Sequence, residues 1–418
     1  MSRGGFLLSG VLAGCVAAPA LASPAVRVRP AVLAGQPAPG GGTFEHFSIE
    51  AQPVLAPVNG RGQVVFFATL LRGSGGEGLF LASGDRITRV AVEGDRAPGG
   101  GTLSGFGKHP IPSMNDAGAV AFAAAVSRGR TVEGIFVASG GRLRAIAVAG
   151  EAAPGIPGGT LAGVEAPVLN NRGEVAFLAT VRRGRESVEA IYLRTGVRLK
   201  KVVSQGDPAP AGGTFAAFGP PTMNNSGLVA FGAVVEGRAV PGGLFLAEGD
   251  AVRMVVGAGD STPLGGIFAK FSERIALNDA GTIAFNATLK DAPVMGALFA
   301  LERGRLRTVA ALGRPAPDGG VLAHFGLWPS LAADGAVAFT AAVDGGATTV
   351  AVFLVTAAGL RRVAGVGDAL PSGGRLASFG LYPIAAVGHT GAVTFATAPT
   401  ATGEGTEGIF VAEPARAP

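Results

Sequence analysis

An eight-residue pattern, Asn-x-x-Gly-x-x-Ala-Phe, returns along this chain at intervals of about 55 residues. Four copies carry it in full, beginning at Asn115, Asn170, Asn224 and Asn278. A looser copy runs from Asn59 to Phe66, and the stretches Ala332 to Phe339 and Gly388 to Phe395 have lost the Asn but keep the Gly and the Phe. A period of this length over seven units restricts the chain to architectures in which one supersecondary unit is stacked on copies of itself.

The residues of each unit indicate its local structure. Asn at the first and Gly at the fourth position suit a type I turn, in which the Asn side chain caps its own backbone and Gly relieves the last position. The strand that follows, as in Val64 to Ala68, is apolar on both alternating faces, as expected of a strand covered on both sides. A Gly-containing turn leads to a second apolar segment with an aromatic residue at Phe80, Phe136, Tyr192, Phe245, Phe299, Phe353 or Phe410. A basic, alternating strand such as Arg142 to Ile146 suits an outer edge, where charge blocks edge-to-edge pairing. A loop of Gly-Asp-x-Ala-Pro-Gly-Gly type, as at Gly94 to Gly101, and an apolar pair such as Phe215 with Phe218 close the unit.

Composition agrees. With 69 Gly and 28 Pro in 418 residues, a mainly helical fold is excluded, while 48% hydrophobic and 15% charged residues leave ample core material. Four short strands per unit, buried on both faces, in seven units predict an all-β fold: a single seven-bladed β-propeller over residues 23–418. The ends support closure of a ring. The chain starts with an outer-strand piece, Val26 to Leu33, and finishes on a third strand, Gly408 to Ala412, so the N-terminal strand is expected to complete the last blade.

Residues 1–22 have Arg3, an apolar run from Phe6 and Ala20-Leu21-Ala22 before Ser23, which fits a signal peptide and predicts an exported protein. The alternative is a lipoprotein signal over residues 1–14 with Cys15 lipidated and the product anchored at the cell surface. Cys15 is the only cysteine, so no disulfide within the chain is possible. No later stretch has the run of apolar residues that a membrane helix needs.

The repeats resemble those of bacterial exported tandem-repeat proteins carrying the Asn-x-x-Gly-x-x-Ala-Phe signature, the choice-of-anchor type, over residues 34–413. The resemblance implies an extracytoplasmic location and no particular activity. The C-terminal sorting tail usual in that group is missing here, which leaves Cys15 as the anchor that resemblance would allow.

Motifs for chemistry are sparse. Gly73 to Gly78 matches a dinucleotide fingerprint in letters, but it lies between strands and lacks the helix that would hold a pyrophosphate. His46 and His324 share one repeat position on blades that are not neighbours, and His109 and His389 fall elsewhere, so no metal pair is expected. The acidic position of the Gly-Asp loop recurs at Asp95, Glu151, Asp207, Asp260 and Asp368, with Gln36 and Arg314 breaking the set. These loops all fall at one end of the ring. They either cap backbone N–H groups of their own loop or form a ring of ligand-binding carboxylates, to which a divalent cation could be added. Trp328 and Tyr382 lie in blades 6 and 7, which drift from the Asn turn; this sector reads either as neutral decay of a redundant turn or as a specialised surface.

A net charge of +5 is spread thinly, with no basic run longer than a pair, so nucleic acid is not an expected partner. The aromatic set is 24 Phe with one Trp and two Tyr, a poor source of sugar-stacking surface. The sequence therefore predicts a monomeric, non-catalytic, extracytoplasmic binding or scaffold module without cofactor, presenting a propeller face to an envelope protein or other extracellular ligand. The alternatives are an exported propeller enzyme of glycoside hydrolase or lyase type, and a purely structural envelope protein.

Overall fold

The computed structural model describes residues 26–47, 54–73, 75–106, 111–237, 241–400 and 402–414. The expected signal segment, Cys15 and His109 lie outside the described residues.

Among the described residues every regular element is a strand, and the strands form seven antiparallel sheets, numbered here as blades 1 to 7. Blade 4 shows the pattern. Its inner strand Thr214–Phe218 pairs with Val229–Glu236, which pairs with Gly242–Glu248, which pairs with the outer strand Ala251–Gly257. The Asn224 turn lies between the inner and second strands, so all such turns sit at one end of the ring. The chain then runs away, back, and away again, and the Gly-Asp loops therefore sit at the opposite end.

The second strand is covered on both faces, as its apolar run requires: Val229, Ala230 and Phe231 are fully buried. The repeated Phe stands opposite the aromatic residue of the third strand in every blade, from Phe66 with Phe80 to Phe395 with Phe410. Ring centroids in these pairs are 5.5–6.0 Å apart. Apolar clusters join each blade to the next: Ala176, Leu178 and Ile191 of blade 3, for example, meet Phe215, Phe218 and Phe231 of blade 4.

The predicted closure is present. Val26–Leu33 pairs antiparallel with Gly408–Pro414 and completes blade 7 as its outer strand. One apolar cluster then joins Val32, Ile409 and Val411 of that blade to Phe44 and Phe66 of blade 1.

The inner strand departs from the expected single piece. In blades 2, 4, 5 and 6 it is interrupted, so that a second short segment, Thr222–Met223 in blade 4, pairs with the far end of the second strand. Pro220 and Pro221 fill the gap in blade 4 and have no N–H to give to the ladder.

Candidate functional site

The acidic positions of the Gly-Asp loops are already engaged, each by the end of its own outer strand and, at Glu151, also by the neighbouring blade. Asp207 Oδ2 accepts from the Ser204 N–H at 2.8 Å, and Oδ1 pairs with Lys201 Nζ at 2.9 Å. Asp368 accepts from Gly365 N–H at 2.8 Å and from Arg362 at 2.6 Å. Asp95 accepts from Val92 N–H at 2.9 Å and pairs with Arg89, and Asp260 accepts from Gly257 N–H at 2.7 Å. Glu151 accepts from Val148 N–H at 3.3 Å and pairs with Arg194 at 2.7 Å. The recurring arrangement is a carboxylate that closes the end of the outer strand, in three blades with a cation six residues earlier: Arg89, Lys201 and Arg362. That spacing was readable in the sequence and accounts for the acidic residue in those three blades.

The opposite end carries a site that sequence reasoning missed. The turn Asn residues are buried, and each Oδ1 caps its own turn, as Asn224 does for Ser226 and Leu228, both at 3.1 Å. Each Nδ2 also reaches the next blade. Asn59 donates to Asn115 O, Asn115 to Asn170 O, Asn170 to Asn224 O, Asn224 to Asn278 O and Asn278 to Ala332 O, at 3.0–3.2 Å. The series stops where the Asn is missing. At Gly388 there is a steric reason: a side-chain carbon there would lie 2.9 Å from Val58 Cγ1 of blade 1.

The second residue of each turn lies at the axial mouth. These are Gly60, Asp116, Asn171, Asn225, Asp279, Ala333 and His389. His389 is thus a repeat position after all, in a turn whose leading Asn has become Gly388. The side chains interlock: Gly60 N–H donates to Asp116, Asp116 N–H to Asn171, Asn171 N–H to Asn225 and Asn225 N–H to Asp279, at 2.7–2.8 Å. Asn171 Nδ2 donates to Asp116 Oδ2 at 2.7 Å, and Asn225 Nδ2 to Asp279 Oδ2 at 2.8 Å. Residues of all seven blades line a cavity of 210 Å³ here.

Burial opposes the charge on Asp116, but hydrogen bonds from Asn171 and Gly60 and the charges of His389 and Arg61 outweigh it, so its carboxyl titrates below the usual range. Among the described residues, no three His, Cys, Asp or Glu side chains are grouped as metal ligands would be.

In the sector of Trp328 and Tyr382, the Arg274 guanidinium of blade 5 lies 5.1 Å from the Trp328 ring. Burial pulls Arg274 down to about 10, against the opposing charge of Glu273. Tyr382 remains exposed. His46 and His324 do not meet: His46 Nδ1 lies 2.9 Å from Glu407 Oε2 at the joint between blades 7 and 1.

Among solved structures the chain is similar in fold to an Aleuria aurantia lectin in complex with Fucα1-6GlcNAc. The two are 13% identical, with 79% of this chain and 98% of that one covered and a TM-score of 0.38. A protein of unknown function from Dyadobacter fermentans is 11% identical, covering 78% and 98%, with a TM-score of 0.37. A gluconolactonase from Xanthomonas campestris is 12% identical, covering 77% and 97%, with a TM-score of 0.34. No curated protein matches the sequence. A family model does match, over residues 22–131 and 291–416, which together make up more than half of the chain. With its repeats, closed ring and interlocked turns, this chain belongs to the family of unknown function DUF7453.

Proposed function

We propose that this protein is a non-catalytic, extracytoplasmic binding or scaffold module whose ligand, an envelope protein or another extracellular molecule, docks on the axial mouth of the Asn end. The mutual fixing of Asp116, Asn171, Asn225 and Asp279 carries this reading. Polar groups already held in place lose little freedom when a ligand arrives, so more of the contact energy is kept as affinity. The acidic end of the ring offers less, since Asp95, Glu151, Asp207, Asp260 and Asp368 are already engaged by neighbouring backbone N–H groups. The signal-like residues 1–22 support the extracytoplasmic setting.

The test compares immobilised protein with a variant carrying Asp116→Ala, Asp279→Ala and His389→Ala, using mass spectrometry to identify what each retains from envelope extract. A partner held by the unmodified protein and by Asp207→Asn, but lost from the axial variant at unchanged melting temperature, is the expected result. Equal retention by the axial variant would remove the axial mouth from the account. Turnover of chromogenic glycosides or esters would overturn the non-catalytic reading.

A further inference from the structure

At four of the seven joints, neighbouring blades are clipped together by a Glu three residues before the third-strand aromatic. Glu77 accepts from the Phe106 N–H at 2.9 Å, Glu133 from Val164 at 3.0 Å, Glu189 from Phe218 at 3.2 Å and Glu407 from Phe47 at 2.8 Å. These bonds span the joints between blades 1 and 2, 2 and 3, 3 and 4, and 7 and 1. At the last of these the same carboxylate also pairs with His46, the residue just before the N–H donor.

The other three joints lack the carboxylate, its counterparts being Gly242, Gly296 and Val350, and at the joint between blades 4 and 5 the missing group coincides with an open cleft. The receiving side there is still built for a carboxylate. Ser272 N–H bonds Asn286 O at 2.8 Å, as Gly219 N–H bonds Gly232 O at 2.9 Å in blade 4. Strand alternation therefore turns the Phe271 N–H away from its own sheet and towards blade 4, as it does for Phe218. Among the described side chains none accepts from it, whereas one does from Phe218. Lys270 holds the position of His46, is exposed, and has no ion-pair partner among the described residues. Glu273 faces the same cleft, and its charge favours the charged form of the adjacent Arg274 guanidinium.

The same joint has an apolar space beside this donor pair. In blades 1 and 3 the residue after the repeated Phe, Phe67 or Leu178, is buried and packs against the next blade. In blade 4 that residue is Gly232, and a side-chain carbon there would meet no heavy atom closer than 3.9 Å. The result is a cleft of 480 Å³ lined by Phe218, Val234, Pro241 and Phe271, with Lys270 and Glu273 as its charged residues. Its volume falls within the range of small-molecule sites.

We propose that this cleft binds a small apolar carboxylate. The ligand carboxylate takes the place that Glu77, Glu133, Glu189 and Glu407 occupy elsewhere, accepting from Phe271 N–H and pairing with Lys270, and its apolar body fills the space over Gly232. The site lies at the opposite end from the axial mouth and does not depend on it.

Isothermal titration calorimetry of the full chain with octanoate and 2-naphthoate, each beside its neutral amide, tests this. The two acids separate an acyl-chain ligand from an aromatic one. Unmodified protein is expected to bind at least one acid at a single site, about tenfold or more tighter than the amide. Lys270→Met should bring the acid down to the level of the amide and leave the amide unchanged. Gly232→Leu, which copies Leu178, should abolish binding of both without lowering the melting temperature. The proposal is overturned if neither acid binds saturably, if acid and amide bind alike, or if either variant leaves acid affinity unchanged. Should Gly232→Leu fail to fold, the exposed Lys270→Met still decides.

Discussion

Asn224 Oδ1 accepts from Ser226 and Leu228 inside its own turn, while Nδ2 donates to Asn278 O one blade away. The first job was legible, because Asn before Gly at the fourth position specifies a capped turn by itself. The second was not, since it depends on where another unit stands. The axial residues were hidden for the same reason: Asp116, Asn171, Asn225 and Asp279 differ in type, and only the ring shows that they touch. Asn224→Ala removes the cap and leaves Asn278 O short of a buried donor, so it should cost about 2–4 kcal/mol. Urea unfolding at constant m-value would read this as a lower midpoint. A loss of a few tenths of a kcal/mol would mean that the turn alone was being stabilised.

Second and third strands were the most legible elements, because both faces are covered and the apolar run with its fixed Phe leaves one solution. The inner strand was harder. Its interruption differs in length and composition between blades, from the prolines of blade 4 to Ser272, Glu273 and Arg274 in blade 5, and no common pattern announces it. The clip carboxylates also escaped the sequence reading, since Glu77, Glu133, Glu189 and Glu407 precede the third-strand aromatic by three residues in only four of seven units. The stacked pair of Phe231 and Phe245, with centroids 5.7 Å apart, binds the two central strands of blade 4 to the apolar cluster shared with blade 3. Phe231→Ala should therefore cost about 3–5 kcal/mol, measured as a shift in the thermal or urea transition. A cost near that of an exposed substitution would show that neighbouring side chains can collapse into the space.

At the scale of the molecule, closure was legible from the ends, because an outer-strand piece came first and a third strand last. Its strength shows only in the pairing of Val26–Leu33 with Gly408–Pro414, reinforced by Arg29 with Glu413 at 2.9 Å. Deleting residues 405–418 removes that partner and bares the edge of blade 7, so the single cooperative unfolding transition should broaden or split. An unchanged melting curve would mean that blades 1 to 6 hold without the closure. The same seam has a consequence for biosynthesis. Val26–Leu33 is made long before Gly408–Pro414, the strand it pairs with, and the bond from Arg29 to Glu413 joins residues 384 positions apart. Each turn Asn likewise donates forward, to a blade not yet synthesised when its own is made. Contacts this distant form late, so the ring cannot close until Gly408–Pro414 has been made, and the nascent chain stays open until then.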